Sequence, residues 1–454
     1  CKLPQVQCRT VPGVPPFLGK TFLQVVVLIA VVSRDLSKET SRTPHSVITE
    51  AQVKVALTAD KGSNAQLVSW DIEDFTRKGD NYMCVVTSIR VQYRQEGTEK
   101  RVTYVAKCAT LSQAESVKDM VSCSFEKESG FYKYLVPLLN AELNNLGQEQ
   151  LHIPTYFSSH EIKGEELIVM EDLRPDGFKM FDRMKGMDKA HAILVLKELG
   201  RLHAASILIQ SKIQPALGEK YKVIEKDFTY YNKTLEEWGQ EMLASMVTNG
   251  AAMLDNIGDY DKVVVWLNEF ARDVINVFRE QLKKVPPFEV LCHGDCWNNN
   301  ILFKYNEEGA PVDVKLLDFQ FCSVASPATD LNYFMFNSFN GSDRKENLQA
   351  YLNTYYDSFR KVLEEAGTPV PFSVEELHQE FHKKNIYGLL MSLLIIPIVL
   401  NEGTHKFDFN ETSNMEKFRE DYKETSLNEL KNNPIFRPRF IAIIDEMINY
   451  GVIS

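Results

Sequence analysis

The chain has 454 residues, a hydrophobic fraction of 44% and a net charge of −11. That length and apolar content suit two or three packed units of a globular protein, and the acidic balance, with Lys and Arg scattered rather than clustered, argues against nucleic acid as a partner. Eight cysteines at 1, 8, 84, 108, 123, 292, 296 and 322, with no CxxC pair, argue against a disulfide framework and set a reduced, cytoplasmic compartment as the default.

Residues 1–46 read as an N-terminal extension, disordered or targeting. Thr21–Val32 (TFLQVVVLIAVV) is apolar but too short to span a bilayer; it resembles a signal-peptide core, so secretion stays open beside the cytoplasm. Gly13–Thr21 (GVPPFLGKT) approaches the phosphate loop GxxxxGK[ST] but has five residues between its glycines and two prolines where N–H donors are needed. It is set aside.

Residues 47–172 read as a mainly β lobe with one important helix. Tyr82–Tyr93 and Arg101–Cys108 are rich in Val, Tyr, Ile and Thr and flank Gln95-Glu96-Gly97, the pattern of an antiparallel hairpin. Lys107 ends the second strand and so lies near Arg77-Lys78-Gly79-Asp80-Asn81, where Gly79 would let backbone N–H groups approach phosphate oxygens while Lys107 supplies a point charge. Taken alone these are an ordinary turn and a solvated lysine. Phe125, Phe131, Tyr132 and Leu135 recur at helical spacing, and Glu128 on that helix is placed to pair with Lys107, with Glu126 as its competitor. Leu167–Met170 reads as a short apolar strand from which Glu171-Asp172-Leu173 leads away as a hinge.

Residues 173–454 read as a mainly helical lobe carrying the chemistry. Ile301–Tyr305 and Val312–Leu317 form a second hairpin around Asn306-Glu307-Glu308-Gly309. Asn300 precedes the first strand and Asp318 follows the second, so pairing brings an amide oxygen and a carboxylate to one end. Such a sparse oxygen set suits Mg²⁺, which keeps waters and substrate phosphates as its other ligands. Asp295, in the HGD triplet five residues before Asn300, is placed to accept a proton from an attacking hydroxyl. A lone HGD reads as a surface turn; the D-x4-N spacing with the hairpin and Asp318 in register reads as a phosphoryl-transfer site. Cys292 and Cys296 bracket the triplet as loop packing. His203, His293 and Asp330 read as scaffold, Asp330 as a helix cap. Asn332–Gly341 (NYFMFNSFNG) is core or the lining of an apolar acceptor pocket. The His378–His382 run HQEFH lacks the zinc-protease spacing, and Tyr387–Leu400, interrupted by Pro397, reads as a buried helix rather than a membrane span.

In their order, VAK, helix glutamate, EDL after an apolar strand, HGDxWxxN and DFQ resemble the kinase-like small-molecule phosphotransferases. KGDNY, FYKYLVP, VMEDL, LHAAS and HGDCWNNNILF are similar to the ecdysteroid kinase-like (CHK kinase-like) family of arthropods, with choline kinases and aminoglycoside phosphotransferases as more distant relatives. The resemblance implies an α+β, two-lobed protein-kinase-like fold with ATP and Mg²⁺ in the cleft. It further implies Lys107 on the α/β-phosphates, Glu128 orienting it, main-chain groups of Glu171 and Leu173 on the adenine, Asp295 as base, and Asn300 and Asp318 on the metal. HGD in place of HRD, and DFQ without an APE tripeptide, disfavour a peptide substrate. A small-molecule hydroxyl is expected instead: an ecdysteroid, another sterol alcohol or a xenobiotic phenol. A silent nucleotide- or small-molecule-binding relative is the alternative, disfavoured because Lys107, Asp295, Asn300 and Asp318 are all present. No obligate protein partner is indicated.

Overall fold

Thr49 opens the first lobe as an N-cap, its side chain accepting from Gln52 N while the Gln52 side chain reciprocates, and this capping box starts helix α1 (Glu50–Lys61). The computed structural model describes residues 43–75, 84–109, 115–225, 233–401 and 415–454; Gly79 with its loop, Gly13–Thr21 and Thr21–Val32 lie outside them. Strands β1 (Gln66–Glu73), β2 (Cys84–Gln95) and β3 (Thr98–Ala109) precede helices α2 (Glu115–Gly130) and α3 (Val136–Asn145), which are joined by a π-helical turn at Phe131–Leu135. After them come β4 (Tyr156–His160) and β5 (Leu167–Glu171), completing an antiparallel sheet in the order β1-β2-β3-β5-β4. Glu96 and Gly97 turn the β2–β3 hairpin with φ of 52° and 78°, the doubly positive backbone that matches the twist of its strands.

Alternation along the strands gives the sheet two unlike faces. Ile89, Val91, Tyr93, Tyr104, Ala106, Cys108, Leu167 and Val169 form one core with Val53, Ala56 and Leu57 of α1. Cys84, Ala109, Ile168 and Met170 point the other way and join the large core of the helical lobe. Lys107 lies on this second face, opposite Val86 of β2.

The rest is mostly helical: β6 (Lys179–Met180), α4 (Lys189–Lys212), α5 (Leu217–Lys220), α6 (Lys222–Glu225), α7 (Lys233–Ile257), α8 (Asp261–Phe270) and α9 (Val274–Gln281) precede β7 (Val290–Cys292). The hairpin β8 (Ile301–Tyr305) and β9 (Pro311–Leu316) follows, then β10 (Ser323–Ala325), α10 (Pro327–Ser338), α11 (Gly341–Glu365), α12 (Val374–Lys383), α13 (Asn385–Val399), α14 (Met415–Asn432) and α15 (Phe436–Asn449). Val47–Ser454 make one compact unit, divided from Cys1–Ser46.

Three features of this lobe position the site. β8 pairs antiparallel with β9, Ile301 opposite Leu316, and Asn306 Oδ1 closes the turn by accepting from Glu308 N and Ala310 N. β7 pairs with β10, so the segments just before His293 and just after Cys322 run side by side. Helices α4 and α11 pack tightly because residue 200 is glycine: a Cβ there would lie 2.7 Å from Tyr355 O and 2.9 Å from Phe359 N. Helix α13 is buried along most of its length with Pro397 in its last turn, and among the described residues no helix is long and apolar enough to cross a membrane.

Candidate active site

Lys107 does not end its strand, which runs two residues further to Ala109; it projects from near the end of the paired region into the space between sheet and helices. Its Nζ donates to Glu128 Oε2 at 2.5 Å and to Asp318 Oδ1 at 2.7 Å. The Lys107 and Glu128 side chains are only 6% and 1% exposed. Glu128 rather than Glu126 makes the contact because residues two apart on a helix point about 200° from each other. Burial by itself would push the Lys107 ammonium down, but Asp318 and Glu128 outweigh it and hold the group well above its usual range. Burial raises the Glu128 carboxyl, against the pull of Lys107.

The hairpin carries the other groups to the same place. Leu317 N donates to Asn300 O at 2.9 Å, so the residue preceding β8 and the segment leaving β9 are clasped together. Asp318 then adopts a left-handed backbone, φ 65°, which among non-glycine residues is most accessible to Asp and Asn. Asn300 Nδ2 donates to Asp295 Oδ2 and to the Asp295 carbonyl, both at 2.9 Å, leaving the amide oxygen as its remaining ligand atom. Tyr333 O–H donates to Asp295 Oδ1 at 2.5 Å. The Asp295 carboxyl is pushed up to about 8 by burial and by the charge of Asp318, opposed by the bonds from Tyr333 and Asn300 and by Lys107. Five of the predicted residues, Lys107, Glu128, Asp295, Asn300 and Asp318, therefore share one network.

Behind them His203, His293 and Asp330 form the scaffold expected of them, but through bonds the sequence did not show. Asp330 is not the cap of α10; Ser326 is, accepting from Ala328 N. Asp330 sits one turn in, 1% exposed, and its carboxylate accepts from His293 N at 2.7 Å, Gly294 N at 2.8 Å and His203 Nε2 at 3.1 Å. His293 Nε2 meets the Leu317 carbonyl at 2.9 Å and its Nδ1 accepts from Asp295 N, which requires the Nε2–H tautomer and links the Asp295 loop to the Asp318 turn. Burial lowers the His293 ring below its usual range, consistent with this neutral form. Gly294 has φ 83°, and an added Cβ would collide with the Phe321 carbonyl, so both the turn and the close approach require glycine.

An aromatic column connects this loop to the sheet: His293 lies 4.4 Å from Phe319, Phe319 stacks on Phe131 at 3.9 Å, and Tyr132 packs between Phe319 and Tyr156 of β4. Among the described residues the one His/Cys/carboxylate cluster with mutually close ligand atoms is His203, Cys292 and Asp330. Each already has protein partners, Tyr355 O–H for His203 Nδ1 and Ser326 O for Cys292 Sγ, so this is scaffold rather than a metal centre.

At the hinge, Glu171 N donates to Thr155 O and the Glu171 side chain accepts from Thr155, while the Leu173 carbonyl accepts from Phe178 N. Among the described residues, the Glu171 carbonyl and the Leu173 N–H take no part in these bonds. Neither residue is bonded to the Lys107 network. Tyr333 was missed as a site residue because an aromatic inside NYFMFNSFNG carries no local sign of which loop its hydroxyl will meet.

The donor set fits a hard divalent cation. A carboxylate at Asp318 and the amide oxygen at Asn300 are hard ligands, and the neighbouring Asp295 carboxyl is raised first by burial and then by the Asp318 charge.

A five-stranded sheet presenting a lysine to a helix glutamate, joined through Glu171–Leu173 to a helical lobe carrying the Asp295–Asn300 loop and Asp318, is a protein-kinase-like fold. The chain belongs to the ecdysteroid kinase-like family, whose model matches residues 78–368. An uncharacterised kinase-like protein of Caenorhabditis elegans is 24% identical over 204 residues, 44% of this chain; the match spans about half, 48%, of that protein's length. Among solved structures, an ethanolamine kinase of Plasmodium vivax is 13% identical, covering 84% of this chain and 82% of that one at a TM-score of 0.37. The choline kinase LicA of Streptococcus pneumoniae is 13% identical, covering 83% and 98% at 0.34. TM-scores this low carry no argument about substrate or mechanism.

Proposed function

We propose that this chain is an ATP-dependent phosphotransferase that moves the γ-phosphate to a hydroxyl of a small molecule, the acceptor being an ecdysteroid, another sterol alcohol or a xenobiotic phenol. The observation that carries the reading is the buried Lys107 ammonium held at once by Glu128 and Asp318, with Asp295 beside them. A structural ion pair would need one acid; the second leaves surplus negative charge where phosphates and a cation would meet.

Lys107, oriented by Glu128, offers its ammonium to the α/β-phosphates as a charge-assisted donor. Asp318 and the Asn300 amide oxygen would hold Mg²⁺, which when bound neutralises charge on the β- and γ-phosphates. The Glu171 carbonyl and Leu173 N–H would meet the adenine edge. Asp295 faces the acceptor: as the acceptor oxygen bonds to the γ-phosphorus and the bond to the β–γ bridging oxygen breaks, releasing ADP, the hydroxyl proton passes to the carboxylate. Tyr333 and Asn300 each hold one of its oxygens, so the base is oriented before the acceptor arrives.

The test is a panel of steroids and phenols incubated with the chain, ATP and Mg²⁺ and read by the mass gain of one phosphate. Asp295→Asn should keep ATP binding and lose about 10²–10⁴-fold in turnover, the usual worth of a positioned base. Acceptor-independent ATP hydrolysis would point to a phosphohydrolase, and ATP bound without turnover on any acceptor to a silent binder; either result rejects the proposal.

A further inference from the structure

Arg174 immediately follows Leu173 and has no part in the scheme above, yet its side chain is fixed from several directions. Nε donates to Asp172 Oδ1 at 2.8 Å and Nη2 to Asp172 Oδ2 at 2.7 Å, a fork onto a carboxylate whose own side chain is 3% exposed. Nη2 also donates to Ser88 Oγ at 2.7 Å. The guanidinium carbon lies 3.7 Å from the ring centroid of Phe75, the distance of face-on stacking. Asp172 is anchored in turn: burial would raise its carboxyl, but the Arg174 side chain and backbone N–H, followed by Thr103 of β3, hold it below its usual range.

These contacts join three separate parts of the sheet lobe. Phe75 lies just beyond the end of β1, Ser88 is in β2, and Asp172 directly follows β5. Ser88 opposes Val105 as Val86 opposes Lys107, so all four side chains share the face that carries the lysine. The side chains of Val86 and Val105 offer partly buried apolar surface between the lysine and Arg174. A flat aromatic base entering beside Glu171 and Leu173 would lie on that surface, and the spacing between β1, β2 and the hinge there is set by one guanidinium.

We propose that Arg174, through Phe75, Ser88 and Asp172, is a positioning residue for the base of the bound nucleotide, fixing the width of the slot between the end of β1 and the hinge. This rests on the kinase reading, because it takes the base to lie against Glu171–Leu173. It goes beyond that reading in assigning base affinity to a side chain outside the lysine, base and metal set. Phosphate affinity belongs to Lys107 and is independent of Arg174.

The experiment separates the two ends of the nucleotide by calorimetric titration with ATP, adenosine and inorganic tripolyphosphate, each with Mg²⁺, on the full chain. Arg174→Ala should weaken ATP and adenosine about tenfold, as expected for losing a stacked and hydrogen-bonded guanidinium, and leave tripolyphosphate unchanged. Phe75→Ala, at a ring 37% exposed and thus safe for folding, should reproduce most of that loss, and the double variant should be no worse than Arg174→Ala by more than about twofold. Arg174→Lys should recover only part, since an ammonium cannot make the fork and the stack together. Unchanged adenosine affinity in folded Arg174→Lys and Phe75→Ala, or tripolyphosphate weakening in parallel with adenosine, overturns the assignment. A wild-type chain that binds neither ATP nor tripolyphosphate overturns the kinase reading itself, whereas one that binds both with no effect of these variants leaves that reading standing and removes only the role of Arg174.

Discussion

Asp330→Asn removes one charge and one acceptor from the centre of the helical lobe, and its cost follows from the hydrogen bonds. In the native chain two carboxylate oxygens take three donors, two of them the backbone N–H groups of His293 and Gly294. Asparagine has one oxygen, so whichever way its amide is turned, its NH₂ faces one of those N–H groups. A buried backbone donor left without an acceptor costs about 1–3 kcal/mol, and the bond that survives loses its charge assistance, worth roughly another 1 kcal/mol. A loss of about 2–4 kcal/mol at pH 7 is expected, read as a lower urea midpoint at unchanged slope. The pH dependence gives a second check. The Asp330 carboxyl is held below its usual range: burial opposes this, but His203 and the Gly294 N–H outweigh it. A depressed carboxyl stabilises above its unfolded value of about 3.9 and loses that contribution as pH falls through its folded value. The gap between wild type and variant should therefore hold from neutrality down to about pH 4 and narrow below it. A difference under about 0.5 kcal/mol at pH 7, or one that does not narrow in acid, refutes the assignment of Asp330 as the anchor of the His293–Asp295 loop.

Tyr333→Phe deletes a bond that favours the ionised Asp295, so that carboxyl should rise further above about 8 and the acid limb of the rate profile should move to higher pH. Activity lost at pH 7 should partly return at pH 9; an unmoved profile would show that the tyrosine does not act through Asp295. Gly200→Ala drives a methyl into the backbone of α11 and should cost about 1–3 kcal/mol in urea unfolding with ATP affinity intact. Gly294→Ala, strained at φ 83° and blocked by the Phe321 carbonyl, should instead abolish turnover by moving Asp295, and near-normal kcat would contradict the loop geometry.

Both hairpins were legible along the chain because their information is local: alternating β-branched and aromatic residues fix which side chains share a face, and Glu96-Gly97 or Asn306–Gly309 fixes where the chain reverses. The same locality put Asn300 and Asp318 at one end of β8 and β9, since antiparallel pairing with Ile301 opposite Leu316 leaves little freedom for the residues beyond. Strand limits are less local. The sequence places Lys107 at a strand end, but the ladder continues to Ala109 because the sheet neighbours β2 and β5 keep pairing with it.

What the primary structure determined by itself is the set of groups proposed for the chemistry and the short loops that present them, because their spacing constrains geometry over a few residues. Only the tertiary structure decided how they are held. Glu128 prevails over Glu126 through the rotation of α2 against the sheet, Asp330 leaves a capping role for two backbone N–H groups 36 and 37 residues away, and Tyr333 reaches Asp295 from a helix 38 residues further on. Those contacts depend on how α10 packs against the β7–β8 loop, and packing is a property of many side chains filling one volume, which no short run of residues encodes.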